Sequence, residues 1–265
     1  MVFNLMQSAF NKRIFGWKRG DNQPNVGDEL AIKIVKEILA FRDINENFFR
    51  NRKGKLLSIG SVMHFAKNGD VIWGTGVNGK VNENLHTFSR LDVRAVRGPR
   101  TAKFLKERGI TVKEVYGDPA LLTPLFFPKE AFVENEPERD FIIIPHMSEM
   151  AEFSKSYSEE VLCSPLQLSY PFLKKLLSAK QVYSSSLHGI ILAEAYGIPV
   201  VWLQSANGED DFKYHDYYEG TGRFSYEETF VFEKFKCIRY SEIKDLYSIQ
   251  KDLLTVFPYD FWDNA

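Results

Sequence analysis

The residues best suited to chemistry form a run of three serines followed by a histidine. Ser184, Ser185 and Ser186 follow a short apolar stretch, and His188 comes two residues later, where a helical pattern begins. Serine hydroxyls can cap the unpaired amides of a first helical turn, and the same amides bind anions. The helix dipole disfavours a protonated histidine there unless an anion lies beside it. The segment therefore predicts an anion site with His188 as proton donor or, with equal weight, a capped helix with a structural histidine.

Two arginines stand at a second junction between a strand and a helix. Arg97 ends an apolar stretch, and Arg100 follows Pro99, a residue favoured in the first turn of a helix. Arginine forms planar, bidentate pairs with carboxylates and phosphates, so both side chains are candidate anion ligands. Both could instead be surface charges, a description that fits Arg100 better because Arg97 ends an apolar strand.

A third polar segment precedes the first strongly periodic helix. Asn25, Gly27 and Asp28 come just before apolar residues that recur at spacings of three and four. A loop containing glycine at a helix N-terminus can bind a ligand, but Asp28 could also simply cap the helix. The residues leave both readings open.

A glycine-rich segment after an apolar stretch matches the spacing G-x-G-x-x-G at Gly74, Gly76 and Gly79. That spacing invites a dinucleotide-binding reading, which requires a helix directly afterwards and an acidic residue after a second strand. Neither is evident, so we do not expect a nicotinamide cofactor.

Two further residues follow predicted strands. His146 comes after an apolar run that Pro145 ends, so it could face the same cleft as His188. Asp118 precedes Pro119 and is better explained as a helix cap. Neither a cluster with metal-ligand spacing nor a nucleophile elbow occurs, so a metal site and a serine hydrolase are not expected.

These residues must be positioned by alternating β-like and helical stretches. Apolar runs predict strands at 55–60, 71–74, 93–97, 141–144, 181–184 and 200–203, and helical spacing predicts helices at about 30–39, 99–108, 170–178, 188–196 and 241–254. Alternation of this kind is typical of α/β proteins with parallel sheets, which bind ligands at the carboxyl ends of strands. The acidic stretch Lys129–Asp140 is the best linker candidate. We therefore predict two α/β domains, 1–135 and 136–265, facing a central cleft, with the C-terminal helix a candidate to pack back on the first.

Composition narrows the class of protein. The formal charge of −1 over 265 residues gives no general basic footprint, so nucleic acid is not an expected partner. The two cysteines, Cys163 and Cys237, fit a reducing compartment better than a disulfide framework. With neither a signal-peptide pattern nor an apolar stretch of membrane-spanning length, we expect a cytoplasmic protein, and peripheral attachment to the inner face of a membrane stays open.

Taken in order, these segments resemble the polysaccharide pyruvyl transferase family. The resemblance covers roughly residues 22–205, and the motifs that carry it are Asn25–Asp28, Ile59–Ser61, Trp73–Gly76, Val96–Thr101, Gly117–Leu122, Ile144–His146, Ser184–Gly189 and Gly197–Pro199. The segment Lys213–Tyr218 is also similar to one found in exopolysaccharide-type members. Many relatives carry an arginine where this chain has Ser186, and this departure shifts the expected anion binding onto Arg97 and the serine segment.

The resemblance implies a fold, a reaction and a set of roles. The fold would be two Rossmann-like domains in a glycosyltransferase-B-like arrangement. The reaction would transfer pyruvate from phosphoenolpyruvate onto two hydroxyls of one sugar as a cyclic ketal, on a cell-surface glycan or its lipid-linked precursor, without a cofactor.

The expected site residues divide between the two substrates. His188 would be the acid and Arg97 would clamp the donor, with Ser184, Ser185, Ser186, His146 and Arg100 as further donor ligands. The acceptor side would hold Asn25, Gly27, Asp28, Gly74, Thr75 and Gly76. Two alternatives stay open: a transferase on the same fold that uses a nucleotide sugar, and a non-catalytic relative that binds a glycan or phosphate. The acceptor sugar and the oligomeric state cannot be predicted.

Overall fold

A computed structural model describes residues 13–44, 54–134, 137–204, 211–232 and 235–262, and it confirms the α/β class. Its strands are β1 (Leu56–Leu57), β2 (Val71–Trp73), β3 (Asp92–Ala95), β4 (Ile142–Ile144), β5 (Val182–Ser184), β6 (Val200–Gln204), β7 (Tyr226–Phe232) and β8 (Phe235–Tyr240). Its α-helices are α1 (Val26–Phe41), α2 (Pro99–Glu107), α3 (Thr123–Phe126), α4 (Met150–Ser156), α5 (Ser169–Leu177), α6 (Leu187–Ala195), α7 (Phe212–Gly220) and α8 (Leu246–Thr255).

The strands form two sheets rich in parallel pairs. The first has the order β1-β2-β3, with both pairs parallel. The second has the order β4-β5-β6-β8-β7, in which β4, β5 and β6 are parallel. The parallel strands are short apolar runs buried on both faces, such as Ile142–Ile144, and this is why they were recognisable in the sequence.

Four elements of the second half were not predicted from the sequence: α4, α7, β7 and β8. β7 and β8 form an antiparallel hairpin that closes the second sheet, and α7 precedes it. In β8 only Lys236 and Arg239 are exposed, so the strand lacks the strict alternation that marks a strand with one solvated face. Helix α7 buries aromatic residues such as Tyr214 and Tyr217 but lacks a clear apolar stripe, so periodicity did not mark it.

Helices α1 and α6 place their N-termini at one pocket, which is described below. α1 buries one apolar face, with Leu30, Ile34 and Ile38 almost wholly inaccessible to solvent. α6 is buried nearly all round, against β5, β6 and the 3₁₀ turn Pro119–Leu122. A helix enclosed in this way can present little more than its first turn to a cavity.

The C-terminal helix α8 lies on residues of the first half. Trp73 donates from Nε1 to the Leu253 carbonyl over 2.9 Å, and Gln250 donates to the Leu121 carbonyl over 2.8 Å. The division into domains 1–135 and 136–265 stays a prediction. Of the expected linker, the structure describes a short 3₁₀ turn, Lys129–Ala131, while residues 135 and 136 lie outside the described part.

Candidate active site

A pocket lies where the N-termini of α1 and α6 meet. Its polar lining includes Asn25 and Asp28 from α1, Ser186 and His188 from α6, and Lys213 from α7. A Cβ on Gly27 would come within 2.3 Å of His188 Nδ1, so glycine is required for the imidazole to lie against the first turn of α1. Two helix N-termini directed at one cavity give it the unpaired amides and positive dipole ends that favour an anion.

The N-terminus of α1 presents two polar side chains to the pocket, of which Asn25 also caps the helix. Asn25 Oδ1 accepts a hydrogen bond from the Gly27 amide over 3.0 Å and caps the helix, so Asp28 is not needed for this purpose. Asp28 lies in the first turn and lines the pocket. Burial raises the pKa of its carboxyl to about 7, against a lowering contribution from the Trp17 backbone amide. Asp28 can therefore exchange a proton near neutral pH.

The serine segment was predicted to bind the donor, but two of its hydroxyls bond within the fold. Ser184 Oγ lies 2.9 Å from the Ile144 carbonyl and accepts from the Ser186 amide over 3.0 Å. Ser185 accepts from the His146 amide over 2.9 Å and donates to the Glu149 carboxylate over 2.5 Å. These contacts fix the serine segment against the end of β4. Only Ser186, which caps α6, also lines the pocket.

His188 reaches the pocket in a neutral state. The pKa of its imidazole is lowered to about 3, chiefly by burial and then by the positive charges of Lys213, Arg97 and His146. Nε2 is enclosed and has no hydrogen-bond partner among the described residues. An anion beside the imidazole would favour its protonated form, as expected for a histidine in the first turn of a helix.

Arg97 does not line the pocket, contrary to its predicted role as donor clamp. Its side chain has 0% exposure and forms an ion pair with Asp216, the closest contact being 3.0 Å. The guanidinium also donates to Ser61 Oγ over 2.6 Å and to the Val77 carbonyl over 2.8 Å. Each of its three nitrogens thus has an oxygen partner within the fold. Arg97 therefore ties α7 to the first half of the chain.

The segment Gly74–Gly76, also predicted on the acceptor side, makes room for this buried ion pair and fixes a loop of the pocket. A Cβ on Gly76 would lie 2.4 Å from Arg97 Cζ, so Gly76 makes room for the guanidinium. Gly74 has φ +94 and packs against Pro119, again without space for a side chain. Thr75 Oγ1 donates to the Gly60 carbonyl over 2.7 Å and fixes the loop that lines the pocket. None of the three is itself a lining residue.

Of the two other predicted donor ligands, His146 lines the pocket and Arg100 does not. Arg100 pairs with Glu219 at 2.6 Å, away from the pocket, because α2 directs it toward the surface near α7. His146 does line the pocket, and its Nδ1 lies 2.7 Å from Ser148 Oγ.

Asp118 caps the Pro119–Leu122 turn by accepting from the Ala120 amide over 2.9 Å, which confirms its prediction as a helix cap. Burial raises the pKa of this carboxyl to about 6.

Sequence reasoning missed Lys213 and an aromatic wall. Lys213 belongs to a segment noted only for its resemblance, and its helix lacked periodicity. Trp17 and Phe65 line the pocket with His64, whose Nδ1 is enclosed without a hydrogen-bond partner among the described residues. An isolated tryptophan before a helix and a phenylalanine in a 3₁₀ turn carry no pattern that would have assigned them to one cavity.

Two further findings concern metal binding and membrane insertion in the described part of the chain. Its His, Cys, Asp and Glu side chains form no group of three that could hold a metal ion. No helix among the described residues is long and apolar enough to cross a membrane.

Comparison with known proteins decides the family. The polysaccharide pyruvyl transferase family matches residues 25–207, more than half of the chain. The chain belongs to this family. The matched range begins at the α1 cap and includes His188 with the serine segment, so both helix N-termini of the pocket lie within the family region.

Individual relatives add no biochemical detail to the family assignment. An uncharacterised protein of Acanthamoeba polyphaga mimivirus is 32% identical over 169 residues, which are 60% of this chain and 57% of that protein. The match thus spans little more than half of the length of that relative. A solved structure of a functionally uncharacterised Klebsiella pneumoniae protein covers 82% of this chain and 91% of its own, with 14% identity and a TM-score of 0.43. That likeness is too distant to assign the glycosyltransferase-B-like arrangement.

Proposed function

We propose that this family member transfers pyruvate from phosphoenolpyruvate to two hydroxyls of one sugar, forming a cyclic ketal and releasing phosphate. The observation that carries the proposal is the pocket in which two helix N-termini converge and which His188 and Lys213 line. Phosphoenolpyruvate carries a carboxylate and a phosphate, and such a site is suited to both. The acceptor would be a glycan or lipid-linked precursor, and a peripheral position at the inner face of a membrane accords with such an acceptor.

The donor lies on the α6 side of the pocket in this proposal. Binding of the trianionic donor offsets the positive field of the helix ends and of Lys213, the charge that most lowers the pKa of His188. The imidazole then takes up a proton and becomes an acid at neutral pH. His188 delivers this proton to the methylene carbon of the enol phosphate, and the methylene becomes a methyl group.

The acceptor lies on the α1 side, where Asp28 is placed to act as base. As one sugar hydroxyl bonds to the carbon that carries the phosphate, its proton passes to the Asp28 carboxylate. The second hydroxyl then bonds to the same carbon as the bond to phosphate breaks. Of the two hydroxyl protons, one replaces the proton given to the methyl group and the other leaves with phosphate, so the reaction balances without a cofactor.

The aromatic wall supports a sugar as acceptor. Trp17 and Phe65 both line the pocket, and Phe65 packs against Phe15 with ring centroids 5.3 Å apart. An aromatic face offers an apolar surface for the C–H face of a pyranose, while Asn25 and Asp28 can bind its hydroxyls. This arrangement orients two adjacent hydroxyls toward the donor. The two-domain, glycosyltransferase-B-like fold remains part of the proposal.

A phosphate-release assay tests the proposal. Wild-type protein is incubated with phosphoenolpyruvate and a panel of galactose, glucose and mannose acceptors, and His188→Ala is compared with His215→Ala. His215 lies on α7 and bonds to Tyr240, outside the pocket lining, so its loss is expected to preserve most of the activity. Loss of a positioned acid should slow release by about 100-fold or more. Wild-type rates in His188→Ala would refute the assigned role.

The same panel separates the alternatives. Stabilisation by uridine or guanosine diphosphate but not by phosphoenolpyruvate, measured as a shift in unfolding temperature, would favour a nucleotide-sugar transferase. Binding of phosphoenolpyruvate without turnover on any acceptor would favour a non-catalytic relative.

A further inference from the structure

Lys213 is a deeply placed cation at the candidate active site. It is 6% exposed and lines the pocket together with Ser186 and His188. Its Nζ lies 5.1 Å from the centroid of the Tyr214 ring. Lysines are seldom buried to this extent. This one lies at the edge of a cavity where two helix N-termini meet.

The helix that carries Lys213 is fixed at two points. Tyr214, the next residue, donates its hydroxyl to the Ser185 carbonyl over 2.6 Å and so ties the first turn of α7 to the loop that leads to His188. One turn later Asp216 accepts from Arg97 Nε over 3.0 Å and from Thr101 Oγ1 over 2.7 Å. The backbone of Lys213 is therefore held beside the pocket by buried contacts on both sides of it.

Lys213 and His188 are also linked electrostatically. After burial, the charge of Lys213 is the largest cause that lowers the pKa of the His188 imidazole. In the empty pocket this charge helps to keep the imidazole neutral, because a second positive group beside the cavity would be repelled. A dianionic phosphate between them would be attracted to both, and the ammonium group binds phosphate well as a compact point charge.

We infer that Lys213 is the cation that binds the phosphate of the donor, across the pocket from His188 and the amides of α6. This inference rests on the proposed function and deepens it, because it assigns the main positive charge of the donor site to α7. Arg97, in contrast, supports Lys213 indirectly by holding Asp216 of the same helix.

Direct binding of phosphoenolpyruvate, measured by isothermal titration calorimetry without an acceptor, tests the assignment. Lys213→Gln is expected to weaken phosphoenolpyruvate about 10- to 100-fold, as for loss of one charge-assisted contact, and to weaken inorganic phosphate similarly. The charge-matched control is Lys103→Gln, whose exposed side chain pairs with Glu107 on α2 and lies outside the pocket. That variant should bind both anions as the wild type does.

A charge relocation strengthens the test. Ser186 lines the same pocket, so Ser186→Arg combined with Lys213→Gln places a cation on the opposite side of the cavity. This double variant is expected to regain at least about tenfold of the lost affinity, since a guanidinium also pairs with phosphate. A structural role for Lys213 alone predicts no such recovery.

Three outcomes keep the inference apart from the proposed function. Equal affinity of wild type and Lys213→Gln would overturn the assignment of Lys213 and leave pyruvyl transfer standing. Lys213-dependent binding without phosphate release on any acceptor would uphold the assignment and overturn the transfer. Absence of binding of either anion to the wild type would overturn both. If Lys213→Gln does not fold, a crystal structure of the wild type with phosphoenolpyruvate decides: Nζ in contact with a phosphate oxygen supports the inference, and phosphate bound elsewhere refutes it.

Discussion

Two polar assemblies lie close together in this molecule and differ in how their charges are offset. In the core ion pair, formed by Arg97 and Asp216, both side chains have 0% exposure and every guanidinium nitrogen contacts an oxygen of the protein. In the pocket, burial moves the pKa of Asp28 up to about 7 and, with the charge of Lys213, that of His188 down to about 3.

The difference shows which assembly serves the fold and which serves a ligand. The core ion pair joins β3 to α7 and completes its own hydrogen bonds, so it requires nothing from outside. The pocket holds two groups in protonation states displaced from their ordinary ones, a pattern that is common at catalytic sites. Removing charge from the first assembly should cost stability, whereas removing charge from the second should cost binding and can increase stability.

The largest effect is expected when the core ion pair is broken. Arg97→Met leaves Asp216 as a buried carboxylate without its charge partner, and the free energy of unfolding should fall by about 3–5 kcal/mol. Urea unfolding followed by circular dichroism measures it. Arg94→Met is the control, because Arg94 pairs with the half-exposed Asp92 and Asp260, and should cost less than about 1 kcal/mol. If Arg97→Met unfolds as the wild type does but loses donor affinity, Arg97 is a ligand after all.

In the pocket, Asp28→Asn should stabilise the protein at alkaline pH. The folded protein retains the Asp28 proton up to a pKa of about 7, while the unfolded chain releases it near the ordinary value of 3.8. Stability attributable to Asp28 therefore decreases as pH rises between these values. We expect a gain of about 1–2 kcal/mol for Asp28→Asn at pH 8, discounted for partial exposure, and little change at pH 4.

The matched control for this effect is the exposed Asp21, whose pKa the Arg19 guanidinium lowers to about 2. Asp21→Asn should not stabilise the protein at either pH. Equal unfolding curves for Asp28→Asn and wild type at pH 8 would mean that the Asp28 carboxyl is not displaced from its ordinary pKa.

Donor binding should be accompanied by proton uptake. His188 is neutral in the empty pocket, and an adjacent anion raises the pKa of its imidazole, so up to about one proton per site should be taken up at pH 7. Calorimetry in two buffers of different ionisation enthalpy measures this number. His188→Asn should reduce the uptake, with the remainder due to Asp28. Identical uptake in wild type and His188→Asn would exclude His188 as the group that is protonated.

The smallest effect is expected at Arg100, which the sequence suggested as a donor ligand. Its pairing with Glu219 is partly exposed, so Arg100→Gln should lower stability by less than about 1 kcal/mol and change the affinity for phosphoenolpyruvate less than about twofold. Calorimetry and urea unfolding check both. A loss of tenfold or more in affinity would place the donor site nearer to α2 than the pocket at α1 and α6.

Much of the fold could be predicted because the parallel strands are short apolar runs and α1 has a clear apolar face. The hairpin β7–β8 and helix α7 could not, since aromatic and charged residues alternate there without a single period. The helix N-terminus at Ser186 and His188 was predicted correctly, because serine before a helix has a direct physical meaning.

The failure at Arg97 has a specific cause. An arginine at the end of an apolar strand is equally compatible with a cleft ligand and with a buried ion pair. The deciding residue, Asp216, is 119 positions away, so no local pattern could reveal it. Lys213 illustrates the converse: it reaches the pocket only because the Arg97–Asp216 and Tyr214–Ser185 contacts place α7 beside α6.

The central claim, transfer of pyruvate in this pocket, is tested most directly by following phosphoenolpyruvate labelled with carbon-13 at the carbon that bears the phosphate. Carbon NMR with a glycan acceptor should show conversion of the enol carbon into a ketal carbon attached to the sugar in the wild type. His188→Ala should give at most about one hundredth of the rate. Release of free pyruvate without a ketal, or an unchanged rate in His188→Ala, would contradict the account.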